Sequence, residues 1–253
     1  MEMFLIIGFF LIAVIMEMID SGLGMMYGTL LSPILIACGI SPSVVIPSIL
    51  LSQFFGGLAA TINHNIAGNA VLFKRSMDLK ITFSIILSGI IAIILGVYLA
   101  ANIPVIFLKS YIGALCIIMG SVIILEKKLG FSWLKIYIIG FVSSFNKSFS
   151  GGGFGPIVSS GQIVSGVDSK KSIAITDFAE VPICLISFFG WFVINKMCFP
   201  DLYVLIPLCI GAFIGGIIGP HILKNIKSKD KLSKIVAILA IISGSLIFGK
   251  LLR

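Results

Sequence analysis

The sequence predicts an all-α integral membrane protein of about seven or eight transmembrane segments, arranged as two inverted repeats with glycine-broken hairpins. Three observations predict it. The 253 residues are 58% hydrophobic and only 11% charged, with a mean hydropathy of +1.19, whereas a soluble domain carries about 25% charged residues. Apolar runs of spanning length recur along the whole chain. The two halves also repeat each other, with glycine-rich interruptions at matching places.

The composition excludes a water-soluble enzyme, a nucleic-acid binder and a disordered chain. What remains is a protein whose surface faces membrane lipid. The runs Val44–Ile62, Ile81–Ala100, Val105–Leu125, Ile173–Ile194, Leu202–Leu223 and Leu232–Leu246 read as spans. No cleavage site of small residues follows Met3–Ile19, so that run is expected in the mature protein. It leads into Asp20-Ser21-Gly22-Leu23-Gly24, after which a short run, Gly28–Gly39, follows. In the same way Trp133–Val142 leads through Ser143–Ser150 into Gly151-Gly152-Gly153-Phe154-Gly155-Pro156 and a short run to Gly166.

A shift of 127 residues lays Asp20 on Lys147, Ser21 on Ser148, Tyr27-Gly28 on Phe154-Gly155, Ser32 on Ser159, Gly39 on Gly166 and Gln53 on Glu180. Shifts of 123 and 124 lay Gly96 on Gly219 and Gly120-Ser121 on Gly244-Ser245. The expected units are therefore a first repeat, 1–126, and a second, 133–253.

Charge orients them. Thirteen of the 18 basic residues fall in four loops: Lys74, Arg75 and Lys80; Lys127, Lys128 and Lys135; Lys170 and Lys171; and the run from Lys224 to Lys234. Placing all four in the cytoplasm satisfies the positive-inside rule. The segment from Lys135 to Lys170 then begins and ends inside, as a hairpin with its glycines at depth. Its first-half counterpart begins and ends outside, which inverts the halves. The alternative is eight plain spans with parallel halves.

Consecutive glycines break a helix and let backbone N–H groups face a ligand. The helix that follows offers a positive dipole end to anions. The candidate substrate-binding residues are thus Ser21, Gly22, Gly24, Tyr27 and Gly28 at the first break. At the second they are Lys147, Ser148, Ser150, Gly151, Gly152, Gly153 and Gly155. Tight helix packing is the competing use of these glycines. Lys147, in an apolar segment, is expected to meet a substrate anion, Asp20 or Glu180 unless it snorkels to an interface. Asp177 and Glu180, three apart on one helical face, are candidates for ion coupling together with Asp20 and Gln53. Glu17 and Asp20 form another such pair. His64 reads as a capping or loop residue, and Trp133, Trp191, Tyr111 and Tyr203 as interface anchors.

Cys38, Cys116, Cys184, Cys198 and Cys209 make no metal-ligand or redox spacing. No metalloprotease, nucleophile-elbow or phosphate-loop motif occurs, so no catalytic residue, cofactor or metal is expected.

At these motifs the sequence resembles the TauE/SafE family, the sulfite-exporter-like permeases. The resemblance rests on Gly22–Gly28 with Pro33, Gly39 and Pro42, then Val44–Gln53. The second half adds Ser150–Pro156, Gly161-Gln162, Ser165-Gly166-Val167, and Ile175-Thr176 through Glu180. It implies transport of sulfite, sulfonates or related small organic anions, coupled to an ion gradient. The chain departs from the family pattern at Gln53, where relatives often carry an acidic residue, and at His64-Asn65, where they often have a histidine pair.

Overall fold

A computed structural model describes residues 2–124, 131–222, 238, 241–242 and 244–249. Among the described residues nine helices are bounded, residues 238, 241–242 and 244–249 are helical as well, and there is no strand. In order they are α1 (Glu2–Leu23), α2 (Tyr27–Ala37), α3 (Pro42–Ile66), α4 (Met77–Asn102), α5 (Val105–Ile124), α6 (Trp133–Ser150), α7 (Phe154–Val164), α8 (Ser169–Ile194) and α9 (Leu202–Ile222). Five of the sequence-read spans are recovered within a few residues. The sixth, Leu232–Leu246, lies largely outside the described residues, as do Lys127, Lys128 and the run Lys224–Lys234.

Helix ends follow local chemistry. Ser76 Oγ accepts the Leu79 N–H at 3.1 Å to start α4, and Asp168 accepts from Lys170 and Lys171 N–H at 3.0 and 3.2 Å to start α8. Both interruptions break the chain as expected. α2 and α7 have 11 residues each, about 16 Å of helix, half the thickness of a hydrocarbon core. The second break is made by Gly151 and Gly153 at φ +76° and +79°. In the first, Gly24 takes φ +71° and Met26, which has a Cβ, takes φ 148°.

The helices form two sets of opposite direction. Gly211, Gly215 and Gly219 of α9 face Phe10, Val14 and Met18 of α1 in turn, so those helices run the same way. α3 joins them, with Gly216 against Gly56 and His221 Nε2 2.8 Å from Asn63 Oδ1. In the other set, Gly140 and Gly89 bring α6 and α4 together through Ile85 and Ser144, and Gly96 meets Phe145 and Ser148. α8 starts beside α4, where Lys171 Nζ is 3.7 Å from Asp78 Oδ1. α3 and α8 cross between the sets in opposite directions: Gly57 lies against Asp177 and Val181, and Asn195 Nδ2–H donates to Ser43 O at 3.1 Å. Such glycine seams let backbones approach where lipid gives no hydrophobic drive for helix association.

This arrangement gathers Lys74, Arg75, Lys80, Lys135, Lys170 and Lys171 at one end of the molecule, the starting end of α4, α6 and α8. The outer faces carry exposed Leu87, Ile91, Ile94 and Tyr98 on α4 and Ile206, Ile210, Phe213 and Ile217 on α9, a surface suited to lipid and not to water. Trp133 and Tyr203 are exposed, as anchors are, whereas Trp191 is 3% exposed and lies in the core.

Candidate functional site

The two breaks meet. A Cβ on Gly28 would strike the Gly151 carbonyl, and one on Gly155 would come within 2.5 Å of the Gly24 carbonyl. These are repeat counterparts, since Gly24 and Gly28 shifted by 127 give Gly151 and Gly155. One on Gly152 would sit 2.7 Å from Gly28 O. Cross-bonds tie the breaks together. Ser32 Oγ donates to Ser150 O at 2.8 Å, Ser159 Oγ to Gly24 O at 3.1 Å, and Gly153 N–H to Thr29 Oγ1 at 3.2 Å. In this conformation the breaks therefore pack backbone against backbone. The serine hydroxyls serve their own helices: Ser21 Oγ donates to Glu17 O, Ser148 Oγ to Phe145 O and Ser150 Oγ to Asn146 O. Gly22 lies buried in the last turn of α1.

Beside this junction lies a buried ring of polar side chains. Asp20 Oδ1 accepts the Tyr27 N–H at 3.1 Å, and its Oδ2 accepts from Gln53 Nε2 at 2.9 Å. Gln53 Oε1 accepts from Lys147 Nζ, which in turn lies 2.7 Å from Glu180 Oε1. Lys147 is 1% exposed, so it does not snorkel. The ring is pseudo-symmetric: Asp20 with Gln53 is the counterpart of Lys147 with Glu180. One half pairs an acid with an amide, the other a base with an acid. Tyr27 is fully buried, and its hydroxyl donates to Ser52 Oγ at 2.8 Å.

Carboxylate oxygens of Asp20, Asp177 and Glu180 lie within 4.8 Å of one another. Oxygens at that spacing can share a cation, and Lys147 already supplies one positive charge. Glu17 is within electrostatic reach of the same three and of Lys147, and its Oε2 accepts no hydrogen bond from the described residues. The centre therefore gathers four acids around one lysine. A surface cavity of about 330 Å³ lies elsewhere, lined by Ser43, Val44 and residues 194–196 and 198–201, none of them in the ring.

His64 departs from its sequence reading. It is 3% exposed, with Nε2 2.7 Å from Ser21 O and 3.0 Å from Asp177 Oδ2. Trp191 departs likewise, donating from Nε1 to Ser148 O at 2.8 Å. The two residues are counterparts at the same shift of 127, each binding the carbonyl of a counterpart serine. That shift, applied to His64, was the signal that could have found both. Tyr111, read as an anchor, bonds Asn146 Oδ1 beside the second break.

Comparison with known proteins follows the same motifs. The Sulfite exporter TauE/SafE family matches residues 9–247. A stretch of 200 residues is 24% identical to a protein of Bacillus subtilis described as a probable membrane transporter protein, YtnM, covering 74% of this chain. The chain spans 64% of that relative's length, just under two thirds. No solved structure matches.

Proposed function

The chain belongs to the TauE/SafE sulfite-exporter family of multi-pass membrane transporters, and from that premise we propose that it moves small anions, sulfite or sulfonates foremost, together with protons. The observation that carries this reading is the buried ring of Asp20, Gln53, Lys147 and Glu180 beside the junction of two helix breaks. Lys147 is the one side chain there that can neutralise an incoming anion, and Glu180 now holds it.

The surplus of acids gives the coupling. Like charges about 4 Å apart repel by roughly 4 kcal/mol each at an effective dielectric near 20. An anion entering among Asp20, Asp177 and Glu180 would be expelled. Protonation of Glu180 removes one of those charges and frees Lys147. The anion then binds Lys147, with backbone N–H groups around Gly151–Gly155 and Gly22–Gly28 as further donors once the breaks part. Proton and anion bind as one event because both act on the same lysine.

The opposite directions of α1, α3, α9 and α4, α6, α8 support two inverted repeats. Exchange of conformation between such halves gives alternating access. With the basic loops in the cytoplasm, the first hairpin enters from outside and the second from inside.

Flux of sulfite and of a sulfonate into proteoliposomes, with and without a proton gradient, tests this reading. The expected result is gradient-driven uptake that is lost in Lys147→Ala and Gly152→Ala. Unchanged uptake in both variants would remove the assignment of the site.

A further inference from the structure

We propose that His64 is the proton relay between the basic end of the molecule and the buried carboxylates. The proposal presupposes that the anion moves with protons and names the route they take.

His64 stands at the last turn of α3, next to the loop that carries Lys74 and Arg75. Its two nitrogens face different surroundings. Nδ1 is 2.8 Å from Asn69 Nδ2, a half-buried amide on that loop. Nε2 faces inward, toward Ser21 O and Asp177 Oδ2. An amide nitrogen can only donate, so Nδ1 accepts and the ring proton sits on Nε2. That single N–H donates to the Ser21 carbonyl, and Asp177 Oδ2, 3.0 Å from the same nitrogen, accepts no hydrogen bond among the described residues. Asp177 in turn lies within 4.8 Å of Asp20 and Glu180, the residue that holds Lys147.

The charged and titratable groups around the imidazole come from each element packed on it. Asp177 on α8 lies against the ring at 3.0 Å, and beyond it stand Asp20 and Glu17 on α1, Tyr27 on α2, Lys147 on α6 and Glu180 on α8. His221 on α9 is engaged with Asn63 instead. Among the described titratable side chains, Asp177 is the one shown in direct reach of the ring.

The transfer balances without a co-reactant. Asn69 swings off Nδ1, and a proton from water binds there. The imidazolium gives its Nε2 proton to Asp177 Oδ2, leaving a neutral acid and a neutral ring protonated on Nδ1. Tautomerisation through water, with Nδ1 releasing its proton and Nε2 taking one up, restores the starting ring. Asp177 passes the proton on to Glu180, and Lys147 is released.

The chain has two histidines, so His221→Asn leaves one imidazole to observe. Nitrogen NMR of histidine-labelled protein in lipid bilayers is expected to find the neutral ring protonated on Nε2. In proteoliposomes, His64→Gln keeps a donor for Ser21 O but cannot relay. The ratio of proton-driven anion uptake to anion counterflow, which needs no net proton movement, is expected to collapse. A structural role would lower both rates together and leave the ratio intact, and that result overturns the relay. So does a ring protonated on Nδ1 at neutrality. Should His64→Gln fail to fold, Asn69→Ala serves: uncovering Nδ1 is expected to speed hydrogen–deuterium exchange at the ring, and an unchanged rate overturns the relay. A wild type that moves none of the tested anions defeats the transport reading alone, while the imidazole spectra and the exchange rate still decide the relay.

Discussion

Replacing Lys147 by methionine keeps most of the stem volume and removes the charge. The lysine is 1% exposed and its partner Glu180 carboxylate is 2.7 Å away with 3% side-chain exposure, so the pair has little solvent to fall back on. Removing one member of such a buried pair costs about 3–5 kcal/mol, because the other is left charged and unpaired. Gln53 Oε1 loses its donor as well. For a chain of this size each kcal/mol moves the unfolding temperature by about 2–4 °C, so a fall of roughly 6–20 °C is expected. The assay is thermal unfolding of the purified protein in detergent, comparing wild type, Lys147→Met and Lys147→Met with Glu180→Gln. The double variant removes the orphaned charge, so it is expected to recover most of the loss. A double variant as unstable as the single one would show that the lysine acts through its packing and not its charge. A single variant within a degree or two of wild type would refute a desolvated ion pair at the centre of this fold.

Trp191→Phe removes the indole N–H from the buried Ser148 carbonyl and is expected to cost about 1–3 kcal/mol, read as a lower unfolding temperature. Gly152→Ala drives a methyl to within 2.7 Å of Gly28 O and 3.0 Å of Thr29 Cα, so the two breaks must separate; it should destabilise the protein. Gly8→Ala on α1 has open space around it and should stabilise by about 1 kcal/mol through helix propensity, which checks that the Gly152 effect is steric. Cys38 and Cys198 are exposed at the end opposite the basic loops. A membrane-impermeant maleimide should label both from one side of the bilayer and a cysteine placed at Arg75 from the other.

Much of this architecture was legible because lipid is a demanding solvent. A span needs a long apolar run, so α3, α4, α5, α8 and α9 could be bounded to within a few residues. The break at Gly151–Gly153 was legible because consecutive glycines cannot sustain a helix, and the one at Gly24 because it falls at the matching place in the first half. Distances across the chain were not. His64 was read as a loop residue because it lies between asparagines near a basic loop, and Trp191 as an anchor because it lies near a span end. Only packing turned both inward, onto the carbonyls of Ser21 and Ser148. The glycines were read as a ligand cradle or as packing, and in this conformation they pack against each other.

The sequence by itself determined a helical membrane protein, two matching halves, a charge asymmetry along the chain and a lysine stranded in an apolar segment. Each of these follows from local composition, which fixes the free energy of placing a segment in lipid. Tertiary structure decided what that lysine touches. Asp20 and Lys147 are 127 residues apart, yet they close one ring through Gln53 and Glu180. A buried charge takes its energy from whatever lies within a few ångströms of it, and that is set by how helices cross, not by their order in the chain.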